Sequence, residues 1–157
     1  RGTHEGEKLM KENEKVTYIE LNERANQFAH YLKDKGIKAE TLVPICIDRS
    51  IEMIIAIFGI LKAGAAYVPI DPEYPEDRMQ FMLEDIDASL LVTRRKTFEN
   101  GLILPHIKDL EIIEIDSEKD EISKHSNMKL QTEITPDNLA YVIYTSGSTP
   151  LFPFSHH

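Results

Sequence analysis

The chain has 157 residues, of which 41% are hydrophobic, and this is enough for one domain with a sizeable core. Its 27 acidic residues outnumber its 18 basic ones, and the formal charge of −9 excludes the clustered positive surface that nucleic acids and anionic membranes require. The single cysteine, Cys46, excludes an intrachain disulfide and a multi-cysteine zinc site, so we expect a reducing compartment, by default the cytoplasm.

No apolar run in the sequence approaches the roughly 20 residues of a membrane-spanning helix, and the N-terminal segment lacks the apolar stretch of a signal peptide. We therefore expect no membrane partner. We also expect no metal site, because His156 and His157 have no further ligands at a defined spacing.

The first pattern along the chain predicts a short hairpin over residues 8–18, followed by a helix. Thr17 and Glu20 match a capping box that begins this helix, and Gly36 predicts its end. The apolar residues that recur at helical spacing are Leu21, Ala25, Phe28, Ala29 and Leu32.

Two further strand and helix patterns follow. Residues 41–48 predict a strand that is buried on both faces, although Pro44 argues against a central position in the sheet. Residues 50–63 predict a buried helix and residues 67–70 a short strand. Pro75 predicts the first residue of the next helix. The apolar face expected for that helix comprises Phe81, Met82 and Ile86.

The last third of the chain has weaker patterns until its final strand. Residues 89–93 and 111–116 predict strands that are separated by a short helix or loop, and residues 117–135 predict an irregular surface connection. Residues 139–144 predict the last strand. Because strands alternate with helices, the predicted fold is α/β, with a mostly parallel sheet and helices on both faces.

The last predicted strand runs into a turn that is rich in hydroxyl groups. This turn comprises Thr145, Ser146, Gly147, Ser148 and Thr149. Backbone N–H groups and hydroxyls in such a turn can hold a phosphate, although the same residue types are common in ordinary turns. No Walker-type GxxxxGK[ST] pattern is present. Ligands of parallel sheets bind beyond the carboxyl ends of the strands, so the position of this turn favours a phosphate loop.

Three stretches together resemble the amino-acid adenylation domains of nonribosomal peptide synthetases, which belong to the adenylate-forming superfamily. They are VTYIELNERANQFAHYL (residues 16–32), LKAGAAYVPIDPEYPEDR (residues 61–78) and LAYVIYTSGST (residues 139–149). The second stretch is the most specific, because acyl-CoA ligases of the same superfamily usually differ there. The resemblance places residues 1–149 on part of the N-terminal subdomain of such a domain and leaves residues 150–157 outside it as a divergent tail.

The resemblance implies a two-step reaction. The carboxylate of an amino acid attacks the α-phosphate of ATP with the assistance of Mg²⁺, and the phosphopantetheine thiol of a peptidyl carrier domain then takes the aminoacyl group. In the family, the loop matched by residues Thr145 to Thr149 closes over the β- and γ-phosphates, so its five residues are the expected nucleotide contacts. The family's amino-acid pocket, magnesium-binding acid and catalytic lysine lie downstream, and Pro150 departs from the family pattern.

These observations leave two interpretations open. In the first, the chain is a fragment of an adenylating enzyme and is inactive in isolation. In the second, it is a non-catalytic module that binds nucleotide weakly or complements a separate remainder of the domain. In either case, a sheet edge without its neighbours predicts a tendency to self-associate.

Several single residues have ordinary structural interpretations. Asp48 and Arg49 follow a strand end and could reach a ligand, but a helix cap or a surface ion pair explains them as well. His30 of the first predicted helix is expected to be a surface or boundary side chain rather than a catalytic base, and His125 has no partner that the sequence identifies. Cys46 lies between isoleucines and is expected in the core rather than as a nucleophile.

Overall fold

The computed structural model describes residues 16–130, and these form a four-stranded parallel sheet in the order β2-β1-β3-β4. The strands are β1 (Leu42–Ile45), β2 (Ala66–Pro69), β3 (Leu90–Thr93) and β4 (Glu111–Glu114). The helices are α1 (Tyr18–Asp34), α2 (Ile51–Lys62), α3 (Glu76–Asp85), α4 (Arg95–Glu99) and α5 (Lys119–Ser123). The predicted α/β class with a parallel sheet is therefore confirmed. Most of the predicted first hairpin and all of the strand over residues 139–144 lie outside the described residues.

The sheet is covered on both faces, as the apolar strand sequences predict. Leu90 and Val92 of β3 point into a core formed with α1 and α2, whereas Leu91 points into a second core with Met79 and Leu83 of α3. Because successive side chains of a strand face opposite sides, a strand that is apolar throughout requires a helix layer on each side.

The beginning of α1 follows local sequence rules. Thr17 Oγ1 accepts a hydrogen bond from Glu20 N at 3.0 Å, and Glu20 Oε1 accepts one from Thr17 N at the same distance. The capping box is thus complete. Gly36 follows the helix with φ +94°, a backbone conformation that disfavours residues with a Cβ atom.

Pro44 lies in a central strand, so the expectation that it would keep this strand from the centre of the sheet is wrong. Cys46 N donates to Val92 O on β3, so the nitrogen of residue 44, two positions earlier, faces β3 as well. Proline has no hydrogen there, and β1 is registered with β3 only at Ile45↔Val92. The sheet accommodates the proline by keeping this one strand pairing short.

The predictions for α3 need two corrections. Pro75 has extended backbone (φ −59°, ψ 153°) and precedes the helix, which begins at Glu76. Phe81 is exposed, and the buried stripe instead uses Met79 and Leu83, four residues apart. The helix therefore turns the side with Met79 and Leu83 towards the sheet and the side with Phe81 towards solvent.

Side chains and a proline protect the two outer strands of the sheet. Ala66 N and Ile70 N donate to β1, so Pro69 lies at a position that faces outwards, where it has no N–H to offer. On the other edge, Glu118 Oε2 accepts from Glu114 N at 2.9 Å, and Glu118 N donates to Glu114 O at 2.8 Å. Pro69 on one edge and the Glu118 contacts on the other both oppose pairing with another strand. Self-association of the chain stays a prediction.

The predicted surface connection after β4 is not irregular throughout. It contains α5, in which Ile122 is buried, and its following residues pack against α1. No helix of the described part of the chain is long and apolar enough to cross a membrane.

Helices α1 and α2 approach closely at Gly59. A Cβ atom at this position would lie 2.6 Å from Phe28 Cδ2, and Phe28 is completely buried. A glycine in a helix ordinarily lowers stability relative to alanine. Its presence here is explained by the ring of Phe28, which occupies the space that a Cβ atom would need.

We predict that Gly59→Ala lowers the free energy of unfolding by about 1–3 kcal/mol, because the added methyl group overpacks the α1–α2 contact. Urea denaturation measures the change. In the double variant Gly59→Ala/Phe28→Leu, the two effects should not add, since the smaller side chain frees the space. If Gly59→Ala raised the free energy of unfolding, the close contact between Gly59 and Phe28 would be contradicted.

Candidate functional site

The carboxyl ends of the strands form the candidate site, because ligands of parallel sheets bind at this edge where the strand order changes. The change lies between β1 and β3, since β2 flanks β1 on one side and β3 flanks it on the other. The chain leaves β1 towards Asp48 and leaves β3 directly at Arg94. These two residues therefore meet at the position where a ligand would be expected.

Asp48 is held by donors from the β3–α4 region. Its Oδ1 accepts from Arg94 Nε at 3.0 Å and from Thr97 Oγ1 at 2.7 Å, and its Oδ2 accepts from Asn100 Nδ2 at 2.9 Å. Partial burial raises the pKa of Asp48, but the hydrogen bonds from Arg94, Thr97 and Asn100 outweigh burial and lower the pKa below its ordinary value.

Arg94 is a buried cation that bridges two carboxylates. Besides its bond to Asp48, its Nη1 donates to Glu52 Oε1 of α2 at 2.9 Å, and the residue is only 8% exposed. Arg94 stands beside Arg95 and Lys96 in the sequence, where the three form a short basic patch, but only Arg94 turns inwards. Its guanidinium fork suits a role between two acids.

Two further contacts tie the strand ends together. Thr93 Oγ1 donates to Cys46 O at 2.6 Å, next to the short β1–β3 pairing. Asp116, just beyond β4, accepts from Arg95 N at 2.7 Å and from Lys96 N at 3.3 Å. The carboxyl edge is thus cross-linked by side chains from three of its four strand ends.

A cavity of about 1310 Å³ opens beside this edge. Carboxylates outnumber guanidinium groups on its walls, which does not favour a polyphosphate. The charged residues lining it are Asp48, Asp71, Glu73, Glu76, Arg49 and Arg78. The positively charged groups that these walls offer to a phosphate are therefore limited to the guanidinium groups of Arg49 and Arg78.

The residues predicted to contact the nucleotide, Thr145, Ser146, Gly147, Ser148 and Thr149, lie outside the described residues. Within residues 16–130, no group of three or more His, Cys, Asp or Glu side chains could hold a metal ion. The described edge consequently offers a rigid platform, and neither an activated nucleophile nor a metal site.

The structure agrees with the ordinary structural interpretations of Cys46 and His30, and it adds a partner for His125. Cys46 is completely buried, and burial raises the pKa of its thiol to about 12, so it remains protonated at neutral pH. His30 is a boundary residue whose Nε2 lies 3.0 Å from Met128 O. His125 does have a partner, Asp34, whose Oδ2 lies 2.8 Å from its Nε2. The sequence could not show this pair because 91 residues separate its members.

Comparison with known proteins identifies the family. Residues 2–151 match the AMP-binding enzyme family. The chain belongs to this family. The predicted resemblance to adenylation domains of nonribosomal peptide synthetases is confirmed, because the curated relatives include the synthases of linear gramicidin and bacitracin.

A linear gramicidin synthase of Brevibacillus parabrevis is 51% identical over 139 residues, which is 88% of this chain and 3% of that protein. The crystal structure of the nonribosomal peptide synthetase FmoA3 matches with a TM-score of 0.67 and 29% identity, covering 78% of this chain and 12% of that chain. Its AMPPNP-bound form matches with a TM-score of 0.66. The four-domain synthetase holo-AB3403, bound to AMP and glycine, matches with a TM-score of 0.55 and 29% identity, covering 67% of this chain and 8% of that chain. This chain thus spans only a small part of these proteins.

We predict that Arg94→Met lowers the free energy of unfolding by about 3 kcal/mol, because it leaves Asp48 and Glu52 without their shared cation in a partly buried position. Denaturation at neutral pH measures the loss. Arg95→Met is the matched control, since Arg95 is 58% exposed at the side chain and its ion pair with Glu114 contributes less than about 1 kcal/mol. Equal effects of the two substitutions would refute the bridging role.

Asp48 also predicts a dependence of stability on pH. Because its pKa is lowered in the folded state, its contribution is complete above the ordinary value of 3.8 and is lost as pH falls through the lower folded value. The wild-type chain should therefore lose more stability below about pH 4 than the Asp48→Asn variant, whose amide does not titrate. If the two proteins lose stability equally as the pH falls, the partners of Asp48 do not stabilise its charged form.

Proposed function

We propose that this chain is the N-terminal part of a domain that activates an amino acid with ATP for nonribosomal peptide synthesis. The observation that carries the proposal is the 51% identity to the linear gramicidin synthase over 88% of the chain. The parallel sheet and its similarity to the FmoA3 synthetase support the same assignment.

Residues Thr145, Ser146, Gly147, Ser148 and Thr149 are the proposed contacts to the ATP phosphates. Their hydroxyl and main-chain donors suit the charge that develops as pyrophosphate leaves. The AMPPNP-bound form of FmoA3 supports a nucleotide ligand, because that protein shares this fold. The walls of the described cavity carry more acids than bases, so the phosphates need donors from such a loop.

Residues 16–130 contain no group of three or more His, Cys, Asp or Glu side chains that could hold a metal ion. Mg²⁺ commonly binds one or two carboxylates together with the phosphate oxygens of its substrate, so ATP itself would supply part of its ligands. We assign the described residues a positioning role: Asp48, Arg94 and Glu52 fix the edge of the sheet without contributing a group to the reaction.

The peptidyl carrier domain is the proposed acceptor of the activated amino acid, as the resemblance implies. The second interpretation, in which the chain acts only with a separate remainder of the domain, stays an alternative to the first, because one observation fits both. The chain covers 12% of the FmoA3 chain to which it is similar. We therefore infer that the 157 residues alone do not activate an amino acid.

ATP–pyrophosphate exchange tests the proposal in two proteins. The 157-residue chain alone should show no amino-acid-dependent exchange. A hybrid in which residues 2–151 replace the matching segment of an adenylation domain from the linear gramicidin synthase should show it. In that hybrid, Ser148→Ala should lower kcat/KM by about 10- to 100-fold, because a hydrogen bond to a charged group is lost.

Ser117→Ala in the same hybrid is the matched control, because Ser117 is exposed and lies outside both the predicted loop and residues 123–130. If Ser148→Ala and Ser117→Ala behave alike in an active hybrid, the loop does not belong to the nucleotide site. Amino-acid-dependent ATP–pyrophosphate exchange by the isolated 157-residue chain would contradict the inference that it needs the remainder of the domain.

A further inference from the structure

Residues 123–130, here called the strap, begin at the last residue of α5 and lie along α1. Asn26 Nδ2 donates to Asn127 O at 3.0 Å. Gln27 Nε2 donates to two strap carbonyls, Ser123 O at 3.2 Å and His125 O at 3.3 Å. These side chains are neighbours on the helix and together hold three main-chain carbonyls of the strap.

Additional residues of α1 extend the contact along the helix. His30 Nε2 lies 3.0 Å from Met128 O, and Asp34 Oδ2 lies 2.8 Å from His125 Nε2. The ring of His125 packs edge-on against the ring of Tyr31, with centroids 5.3 Å apart. The strap is therefore attached along one side of α1 over about two turns.

Asn26 differs from the other residues of this contact in its burial. It is 3% exposed, whereas Gln27 and His30 are half-buried. Its Oδ1 has no hydrogen-bond partner among residues 16–130, and an unpartnered buried acceptor costs about 1–3 kcal/mol. Asparagine is also a poor helix former. The helix would be more stable with an apolar residue here, so the amide is explained by the bond that it makes to the strap.

The strap ends beside the main core, where Leu130 packs against the buried cluster. The chain then continues towards Thr145, the first residue of the proposed phosphate loop. If the first residue of the segment between Leu130 and Thr145 is held in place, the far end of the segment can sample a smaller volume than if the first residue moves. The attachment of the strap therefore fixes where the segment that follows residue 130 begins.

We propose that Asn26 is a positioning residue, which fixes the path of the strap through its side-chain amide and thereby sets the origin of the segment that leads to residues 145–149. The significance of that loop rests on the proposed function, whereas the attachment of the strap does not.

Hydrogen–deuterium exchange on the 157-residue chain without nucleotide tests the proposal. Asn26→Asp keeps the shape of the side chain but replaces the donor with a carboxylate that faces Asn127 O. Amides of residues 123–130 should exchange about five- to tenfold faster, as expected for the loss of one hydrogen bond. Amides of residues 139–149 should also exchange faster, while those of residues 51–62 in α2 should not change.

Asn22→Asp is the matched control, because Asn22 is exposed and lies one turn earlier on the same helix. Asn26→Ala serves as a second variant, since it removes the donor without burying a charge. The proposal is overturned if both Asn26 variants leave the strap at the rate of the control, or if the strap alone responds. It is also overturned if exchange in α2 rises equally, because Asn26 would then support only global stability.

Because the measurement needs no nucleotide, its result stands whether or not residues 145–149 bind phosphate. A hybrid enzyme without ATP–pyrophosphate exchange, together with a strap that responds to the Asn26 variants, would contradict the proposed function alone. An active hybrid together with a strap that does not respond would overturn this inference alone.

Discussion

The ion pair between Asp48 and Arg94 joins two halves of a sheet whose main-chain connection is short. Pro44 removes the hydrogen that would extend the β1–β3 ladder, and the two strands are registered at a single residue pair. Side chains compensate beyond that point, where Arg94 and Thr97 bind Asp48 and Thr93 binds Cys46 O. Since β1–β2 and β3–β4 are the extended pairings, the stability of the whole edge depends on this joint.

The same joint explains why Asp48 and Arg94 act as structural rather than reactive groups. A carboxylate with three donors and a buried guanidinium with two acceptors are already satisfied, so neither is available to a substrate. Fixing such groups in one arrangement favours rigidity over reactivity. A rigid edge is what a phosphate-binding loop from another segment requires, because donors must already be in place when charge develops.

Sequence reasoning succeeded where the determinants were local. The capping box of Thr17 and Glu20 needs only residues three apart, and the alternation of strands and helices required no knowledge of contacts. It failed where the partner is distant. Arg94 resembled part of a basic patch because Asp48 is 46 residues away. Phe81 was misassigned because helical phase is set by the sheet that α3 covers. The predicted loop at residues 145–149 lies outside the described residues and remains a prediction.

The strap has a consequence for how this region changes over evolution. Asn26 and Gln27 bind main-chain carbonyls, which every amino acid presents. Most side chains of residues 123–128 can therefore be exchanged without removing these bonds, whereas exchange of Asn26 or Gln27 removes them. Related chains can differ widely in these residues and still follow the same path, so sequence divergence here is a poor measure of structural divergence.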